Sequence, residues 1–212
     1  MAKAGEGLQS VKNKKDEIIS AAAEAFMEKG FSATSLDDIA DRLRCTKGLI
    51  YYNFKNKIDL FFAVHRHSMN LNLNNIKSVI NRHDSPIDKI NNIISTHMDL
   101  TISHLPFQRV AVMGLEFHLL GSTTPQERKT LADLVEMHRE YERIFVQLIK
   151  EGIDAGYFAN KDPALLAKLV LGTLNWMVMW FRVGSKSMNK GHDVIFEHIS
   201  DFVISGLRTA GD

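Results

Sequence analysis

Apolar residues recur every three or four positions along most of the chain, with polar residues between them. Clear examples run over residues 18–26, 131–148 and 195–207. This spacing matches the 3.6-residue period of an α-helix, and no stretch alternates strictly enough to be a β-strand. The pattern predicts an all-α protein of about nine helices.

Helix-start signals divide the chain into a short-helix part and a long-helix part. Pro86 and Pro163 each follow a residue suited to cap a helix N-terminus, and Thr124 with Glu127 forms a capping box. Long helices are expected at 56–81, 85–102, 106–119, 124–155, 162–181 and 190–208. We therefore predict a small domain at 1–55 and a larger helical domain at 56–212, joined by the helix that begins near residue 56.

Two short helices joined by a tight turn are predicted between residues 35 and 54. Ser35 and Asp38 resemble a capping box for the first helix, and Thr46 is a suitable N-cap for the second. Arg44 and Cys45 lie in the turn between them. With the helix at 18–26 to pack against, this arrangement is a helix-turn-helix, which places its second helix in the DNA major groove.

The charge distribution supports a local nucleic-acid site. The formal net charge is only +1, so such a site must come from segregation of charge. Basic residues crowd the segment 42–57, which contains no acid; they are Arg42, Arg44, Lys47, Lys55 and Lys57. A second basic cluster, Lys12, Lys14 and Lys15, is expected to precede the first helix and to reach an adjacent groove or backbone. The alternative is a solvated basic surface.

The residues between these cations suit contact with DNA. Gly48 has no side chain, so the backbone can approach a base edge or a sugar. Tyr51 and Tyr52 can offer hydroxyls to phosphates and ring faces to sugars or thymine methyl groups. The alternative is that one of the two tyrosines packs inward.

Several other classes of protein fit less well. The chain contains no nucleophile-elbow, zincin, P-loop or dinucleotide motif, so we expect neither an enzyme nor a bound cofactor. The histidines lack metal-ligand spacing. A sequence-blind DNA-coating protein would need basic charge spread over the surface. The single cysteine, Cys45, excludes an internal disulfide and suits a reducing cytoplasm. The apolar stretch 165–181 is marginal for a bilayer span and is expected to be a buried helix.

The segments FMEKGFSATSLDDIA (26–40) and TKGLIYYNFKNKIDLF (46–61) resemble the DNA-binding domain of TetR-family transcriptional regulators. The resemblance covers about the first quarter of the chain. It implies an all-helical homodimer whose recognition helices read a palindromic operator, with a body that binds a small molecule and thereby releases the DNA. The turn departs from the usual Gly-Val, and Asn53 replaces a common histidine or aromatic residue.

Roles carried over from this resemblance concern the first domain. Thr34 is expected to anchor a phosphate, with an extra phosphate contact from Arg44 in the unusual turn. Thr46 and Lys47 are expected to open the recognition helix on the DNA. Gly48 and Tyr51 would lie against bases. Tyr52 and Lys57 would hold phosphates.

The larger domain is expected to supply the dimer interface and the effector site. The family resemblance implies that the last two helices of each subunit form a four-helix bundle; a central helix of a monomer would show the same apolar pattern. Candidate effector-binding residues are aromatic, sulfur-containing or polar side chains of the body: Met113, Phe117, Arg139, Tyr141, Phe145, Asn175, Trp176, Trp180 and Arg182.

The segments 137–145 and 174–182 are similar to segments of TetR-family regulators of fatty-acid and sterol catabolism, which respond to acyl-CoA thioesters. An effector of this class needs an apolar tunnel for the acyl chain and basic groups for the phosphates. The alternative is a different effector class, such as a hydrophobic drug or an aromatic compound. Effector binding is expected to shift the helix that begins near residue 56 and to change the spacing of the recognition helices.

Overall fold

The computed structural model describes residues 2–80, 83–120, 124–181 and 192–208, with side chains from residue 14 onward and without those of 115–120 and 192. In these ranges the chain forms nine α-helices and no β-strand, which confirms the predicted all-α class. The helices are α1 (Ala2–Ala33), α2 (Leu36–Leu43), α3 (Lys47–Asn53), α4 (Lys57–Ile80), α5 (Pro86–Ser103), α6 (Leu105–Leu120), α7 (Pro125–Asp154), α8 (Pro163–Trp180) and α9 (His192–Leu207).

Backbone contacts divide the chain into two compact units. The first unit is Met1–Ser68 with Pro106–Leu134, and the second is Met69–Leu105 with Val135–Asp212. The first unit holds α1, α2 and α3, and also α6. Helices α4 and α7 each begin in the first unit and end in the second.

The first unit is built on apolar side chains from α1, α2 and α3. Ile18 and Phe26 of α1, Ile39 of α2 and Ile50 of α3 are fully buried, and Phe54 directly after α3 is 2% exposed. An aromatic cluster joins α1 to α4; its ring centroids are 5.7 Å apart for Phe26–Phe31, 5.4 Å for Phe26–Phe61 and 5.0 Å for Phe31–Phe61. This core fixes the short helices against α1 and the start of α4.

Helix α1 differs from the sequence prediction at its beginning. It starts at Ala2, so Lys12, Lys14 and Lys15 belong to the helix and do not precede it. Near its end, Gly30 leaves the helical conformation with φ 79° and ψ 163°. A side chain at this φ would be strained, so glycine is the residue that allows the chain to turn here.

Four of the predicted helix caps form side-chain hydrogen bonds. The Ser35 hydroxyl accepts from the Asp38 amide and the Asp38 carboxylate accepts from the Ser35 amide, at 3.1 and 2.8 Å. Thr124 and Glu127 make the same reciprocal pair, each bond 3.1 Å long. Ser85 and Asp162 cap α5 and α8, with Pro86 and Pro163 at the first helical positions. These local bonds explain why the starts of α2, α5, α7 and α8 were predicted correctly.

The second unit packs α5 against α8 and α9. Ile90, Ile93 and Ile94 of α5 are fully buried, as is Ala167 of α8. The amide of Ala159 donates to the carbonyl of Leu207 at 2.8 Å, which ties the segment before α8 to the end of α9. Helices α5 and α9 of the same chain therefore cover one side of α8.

The other side of α8 is exposed. Leu165, Leu169, Trp176, Met179 and Trp180 have exposed fractions between 41% and 64%. Among the described helices, α8 is long and apolar enough to cross a membrane by length and composition. One such helix is a weak indication of a span, because a helix that packs on two sides in a protein interior has the same composition.

Candidate nucleic-acid interface

Helix α3 presents one face to the core and the opposite face to solvent. Ile50 is buried and Phe54 follows it into the core, whereas Tyr51 is 56% and Tyr52 80% exposed. Thr46, Lys47 and Gly48 at the start of α3 are also exposed. The alternative in which one of these tyrosines packs inward is therefore wrong for this structure. The helix carries aromatic, hydroxyl and basic groups outward, as a recognition helix requires.

Two local features shape the start of α3. Among the described groups, Thr46 makes no capping hydrogen bond with its side chain, although its backbone is extended as in an N-cap. A Cβ atom placed on Gly48 would have only the Thr46 hydroxyl oxygen within 4 Å, at a distance of 3.9 Å. Little protein therefore covers this end of the helix. The predicted roles of Thr46, Lys47 and Gly48 remain predictions.

The turn between α2 and α3 is made by Arg44. This residue has a left-handed backbone, φ 51° and ψ 42°, and its amide donates to the Asp41 carbonyl at 3.1 Å. The Cys45 amide donates to Ala40 at 3.0 Å. The bonds satisfy carbonyls at the end of α2, as in the common left-handed helix C-cap. The exposed Arg44 side chain occupies a position where glycine is usual.

Acidic residues from neighbouring helices partly neutralise the basic segment. Lys47 pairs with Asp37, and the hydrogen bond that its ammonium donates to the Asp37 carboxylate raises the pKa of Lys47. Arg42 pairs with Glu24 at 2.8 Å and with Glu28. The segment 42–57 itself contains no acid, so these pairs depend on residues outside it that the fold brings close. Arg44 and Lys55 are exposed cations of the same segment.

Two residues predicted to touch phosphate lie partly inside the first unit. Thr34 is 1% exposed, and its hydroxyl donates to the carbonyls of Gly30 at 2.7 Å and Ala25 at 3.2 Å. The Lys57 ammonium donates to the backbone carbonyls of Phe31, near the end of α1, and Thr34, between α1 and α2. Asn53 donates to the Leu49 carbonyl at 2.9 Å, within α3. The structure thus brings Thr34 and Lys57 together at the α1–α2 junction.

Within the second unit, the predicted effector residues of α7 fall into a buried and an exposed group. Tyr141 and Phe145 are buried with ring centroids 5.3 Å apart. The Tyr141 hydroxyl lies 3.0 Å from Nδ1 of His97, a residue that sequence reasoning did not select. Arg139 is exposed and pairs with Glu136 at 3.6 Å. Tyr141 and His97 therefore form a polar pair in an apolar interior.

Burial sets the protonation of this pair. It lowers the pKa of His97 to about 4 and raises the pKa of Tyr141, so both are neutral near pH 7. Burial likewise lowers the pKa of His138 to about 4. A neutral hydroxyl and imidazole can donate and accept hydrogen bonds without introducing charge into the core.

The remaining predicted effector residues are more scattered. Asn175 is half-buried on α8, whose Trp176 and Trp180 are exposed. Met113 is half-buried on α6, in the first unit. The side chain of Phe117 and the whole of Arg182 lie outside the described residues. Among the residues that the structure describes, no group of three or more histidine, cysteine, aspartate or glutamate residues could hold a metal ion.

Two grooves in the second unit are large enough to matter for function. One, of about 460 Å³, lies between α8 and α9 and is mostly apolar, with Leu169, Val170, Thr173 and Phe202 among its lining residues. Phe202 is 68% exposed. The other, of about 540 Å³, lies between α4 and α7 and is lined by Lys77, Ile80, Glu140, Arg143, Ile144 and Gln147.

Family comparisons agree with this architecture. Residues 18–64 match the model "Bacterial regulatory proteins, tetR family", and residues 83–207 match "Tetracyclin repressor-like, C-terminal domain". The chain belongs to the tetR family of bacterial regulatory proteins. It is a DNA-binding transcriptional regulator with a ligand-responsive helical body.

Individual relatives are similar over most of the chain. The transcriptional repressor KstR2 of Mycolicibacterium smegmatis is 24% identical over 179 residues, 81% of each chain. The fatty acid metabolism regulator protein of Bacillus subtilis is 24% identical over 160 residues, 75% of this chain and 78% of its own. The structure of AibR in complex with isovaleryl coenzyme A and operator DNA matches with a TM-score of 0.74 and 21% sequence identity. The match covers 92% of this chain and 97% of the AibR chain. The last likeness shows the fold alone.

Proposed function

We propose that the protein is a homodimeric repressor that binds a palindromic operator and is released by an acyl-CoA thioester. The exposure of Tyr51 and Tyr52, on a helix whose Ile50 is fully buried, is the observation that carries the DNA-binding part. A helix held in this way presents a fixed set of side chains to a major groove. The expected site of action is the cytoplasm, where operator DNA lies.

The proposed dimer forms through α8 and α9. Leu169 and Trp176 of α8 and Phe202 of α9 are between 61% and 68% exposed. Large apolar side chains clustered on two adjacent helices are costly to leave in water and are typical of a subunit interface. A two-fold dimer also supplies the symmetry that a palindrome requires.

The effector proposal combines the relatives' names with the chemistry of the second unit. AibR was solved with isovaleryl coenzyme A, and the B. subtilis relative is a fatty acid metabolism regulator. In this chain, Tyr141 and Phe145 offer buried aromatic surface beside a neutral hydroxyl–imidazole pair. The groove between α4 and α7 carries Lys77 and Arg143, which could meet phosphates at the surface.

These basic groups already have acidic neighbours. Lys77 pairs with Glu140 at 2.7 Å and Arg143 with Glu136 at 2.8 Å. A bound phosphate would have to compete with both carboxylates, so we expect affinity for the CoA moiety to fall as salt rises. The acyl chain, by contrast, would gain affinity from burial of apolar surface, about 0.8 kcal/mol for each methylene group.

The test is fluorescence anisotropy on the DNA upstream of the protein's own coding region, titrated with acyl-CoAs of graded chain length. Specific binding that one chain-length class releases supports the whole proposal. Specific DNA binding that no thioester changes, even at thioester concentrations far above cellular levels, contradicts the effector assignment. That result would still support the proposed DNA-binding function. Free coenzyme A and the matching free fatty acid are the controls that separate recognition of the head group from recognition of the chain.

A further inference from the structure

The Lys57 side chain is directed into the protein at the junction of α1 and α2. Its ammonium donates to the backbone carbonyls of Phe31 at 2.7 Å, Thr34 at 2.8 Å and Ser32 at 3.2 Å. It also lies over the Phe31 ring, 4.5 Å from the centroid. An ammonium group has three protons, and the three carbonyls provide an acceptor for each of them.

These carbonyls follow Gly30, where the backbone leaves the helical conformation, and the Thr34 carbonyl lies after the end of α1. Backbone carbonyls beyond the end of a regular helix need a donor from elsewhere in the protein. The last turn of α1, which is fully described, contains no basic residue of its own. Lys57, the first residue of α4, therefore supplies from another helix the donors for these three carbonyls.

Other contacts hold the same junction from the inside. The Thr34 hydroxyl donates to Gly30 and Ala25 of α1, and Thr34 is separated from the first residue of α2 only by Ser35. The Phe31 ring beneath the ammonium packs on Phe61, one turn after Lys57 on α4, with centroids 5.0 Å apart. The end of α1, the start of α2 and the start of α4 are thus joined at one point.

We propose that Lys57 is a positioning residue that fixes the α2–α3 pair against the start of α4, and that it does not bind a DNA phosphate. The inference rests on the proposed operator binding, and it replaces the phosphate role that the family resemblance suggested for this lysine. A phosphate could take the ammonium only by displacing it from these three carbonyls. Lys57 therefore acts on DNA through the placement of the recognition helix.

The two roles differ in how binding depends on salt. Loss of a phosphate contact lowers the salt slope of the binding constant by about 0.9, or about 1.8 for the two subunits of a dimer. Loss of a positioning contact lowers the affinity and leaves the slope unchanged. The roles also differ without DNA, because only the carbonyl contacts stabilise the free protein.

The experiment compares Lys57→Met with Lys55→Met in the full-length protein. Lys55 lies two positions away and is exposed, so its substitution removes the same charge without touching the junction. Methionine at 57 keeps apolar volume over the Phe31 ring and removes the donors. We expect the melting temperature of the DNA-free protein to fall by several degrees for Lys57→Met only, with operator affinity reduced about tenfold at an unchanged salt slope. An unchanged melting temperature, or a slope reduced by about 1.8, would overturn the proposal.

If the Lys57→Met protein does not fold, the Lys57→Arg variant provides the test. Arginine keeps the charge for a phosphate, but its planar guanidinium does not fit the three-carbonyl site of a compact ammonium. We expect a lower melting temperature and weaker operator binding with the wild-type slope; wild-type values for both would refute the positioning role. If the wild-type protein shows no preference for the operator over random DNA, the proposed function fails, and the DNA-free melting temperatures still decide the role of Lys57.

Discussion

The hydroxyl of Tyr141 on α7 and the Nδ1 atom of His97 on α5 lie 3.0 Å apart, and both side chains are buried. The Thr101 hydroxyl, one turn after His97, donates to the His97 carbonyl at 2.9 Å. Each member of the Tyr141–His97 pair satisfies a polar group of the other that would otherwise be buried alone. The pair therefore links α5 to α7 by a hydrogen bond whose loss would leave a buried polar group without this partner on each helix.

Replacing Tyr141 by phenylalanine tests this link. The substitution preserves the ring that packs on Phe145 and removes the hydroxyl, which leaves the buried imidazole with one partner fewer. We expect the free energy of unfolding in urea to fall by about 1–3 kcal/mol. Tyr157→Phe, at an exposed tyrosine of the same unit, is the matched control and should change stability little. Equal effects of the two substitutions would show that the bond does not contribute.

The stability of the protein should decrease between pH 6.5 and pH 4. The folded protein protonates His97 only near pH 4, whereas the unfolded chain does so near pH 6.5, so protons favour unfolding in this window. The contribution of neutral His97 to the free energy of unfolding is complete above pH 6.5 and is lost as the pH falls towards 4. The loss is at most about 3 kcal/mol. His138 acts in the same direction.

The residue assignment can be checked by urea unfolding across this pH range. His97→Gln should flatten the dependence, because glutamine can accept from Tyr141 and does not titrate. His83→Gln, at an exposed histidine, should leave the profile as it is. A His97→Gln profile that keeps the full wild-type slope would contradict the assignment.

A charge on the exposed face of α8 should separate the subunits. Trp176→Glu is expected to convert the dimer to a monomer in sedimentation velocity, because an unpaired carboxylate would be buried in the interface. Binding to a palindromic operator should weaken at least tenfold, whereas binding to an isolated half-site should be unaffected. Tyr157→Glu, at an exposed aromatic residue outside α8, is the control. Monomerisation by both substitutions would argue against a specific interface.

Arg44→Gly should have opposite effects on folding and on DNA binding. Glycine relieves the left-handed backbone of Arg44, which costs an L-residue about 1–2 kcal/mol, but it adds entropy to the unfolded chain, so the net stabilisation should be about 1 kcal/mol or less. Loss of the guanidinium should reduce the salt slope by about 0.9 per subunit if it meets a phosphate. Arg44→Lys separates the two effects, because it keeps the charge and the strained backbone. A more stable protein with undiminished DNA affinity would show that Arg44 is only a turn residue.

Tyr51 and Tyr52 should differ in the kind of DNA binding that they support. Tyr51→Ala is expected to weaken operator binding about tenfold or more and to change binding to random DNA little, because base contacts carry specificity. Tyr52→Ala should weaken both by similar factors, as expected for a phosphate contact. Anisotropy titrations with operator and scrambled duplexes measure the difference, and indistinguishable profiles would contradict these roles.

Features held together by neighbouring residues were predictable from the sequence. The capping pairs Ser35–Asp38 and Thr124–Glu127 span three residues each, and both form as the pattern indicated. Contact of Tyr51 and Tyr52 with DNA was considered from the sequence, and their exposure settled the alternative that one of them packs inward. In such cases the local geometry of a helix determines which side chains pair and which face the solvent.

Features that depend on distant partners were not predictable. The acceptors of Lys57 lie 23 to 26 residues earlier and are backbone atoms, so no side chain marks them in the sequence. Asp37 reaches Lys47 across the turn between α2 and α3. The apolar pattern of α8 predicted burial all round, but it could not show that the chain itself covers only one side.

The uncovered side of α8 makes the regulator sensitive to its own abundance. If a palindrome is filled by pairs, then below the dimerisation constant operator occupancy follows roughly the square of the chain concentration, and halving expression lowers occupancy about fourfold. A gene under its control would therefore respond steeply to gene dosage and to dilution by cell growth. Stabilising the α8–α9 contact would make that response more gradual without changing a single residue that touches DNA.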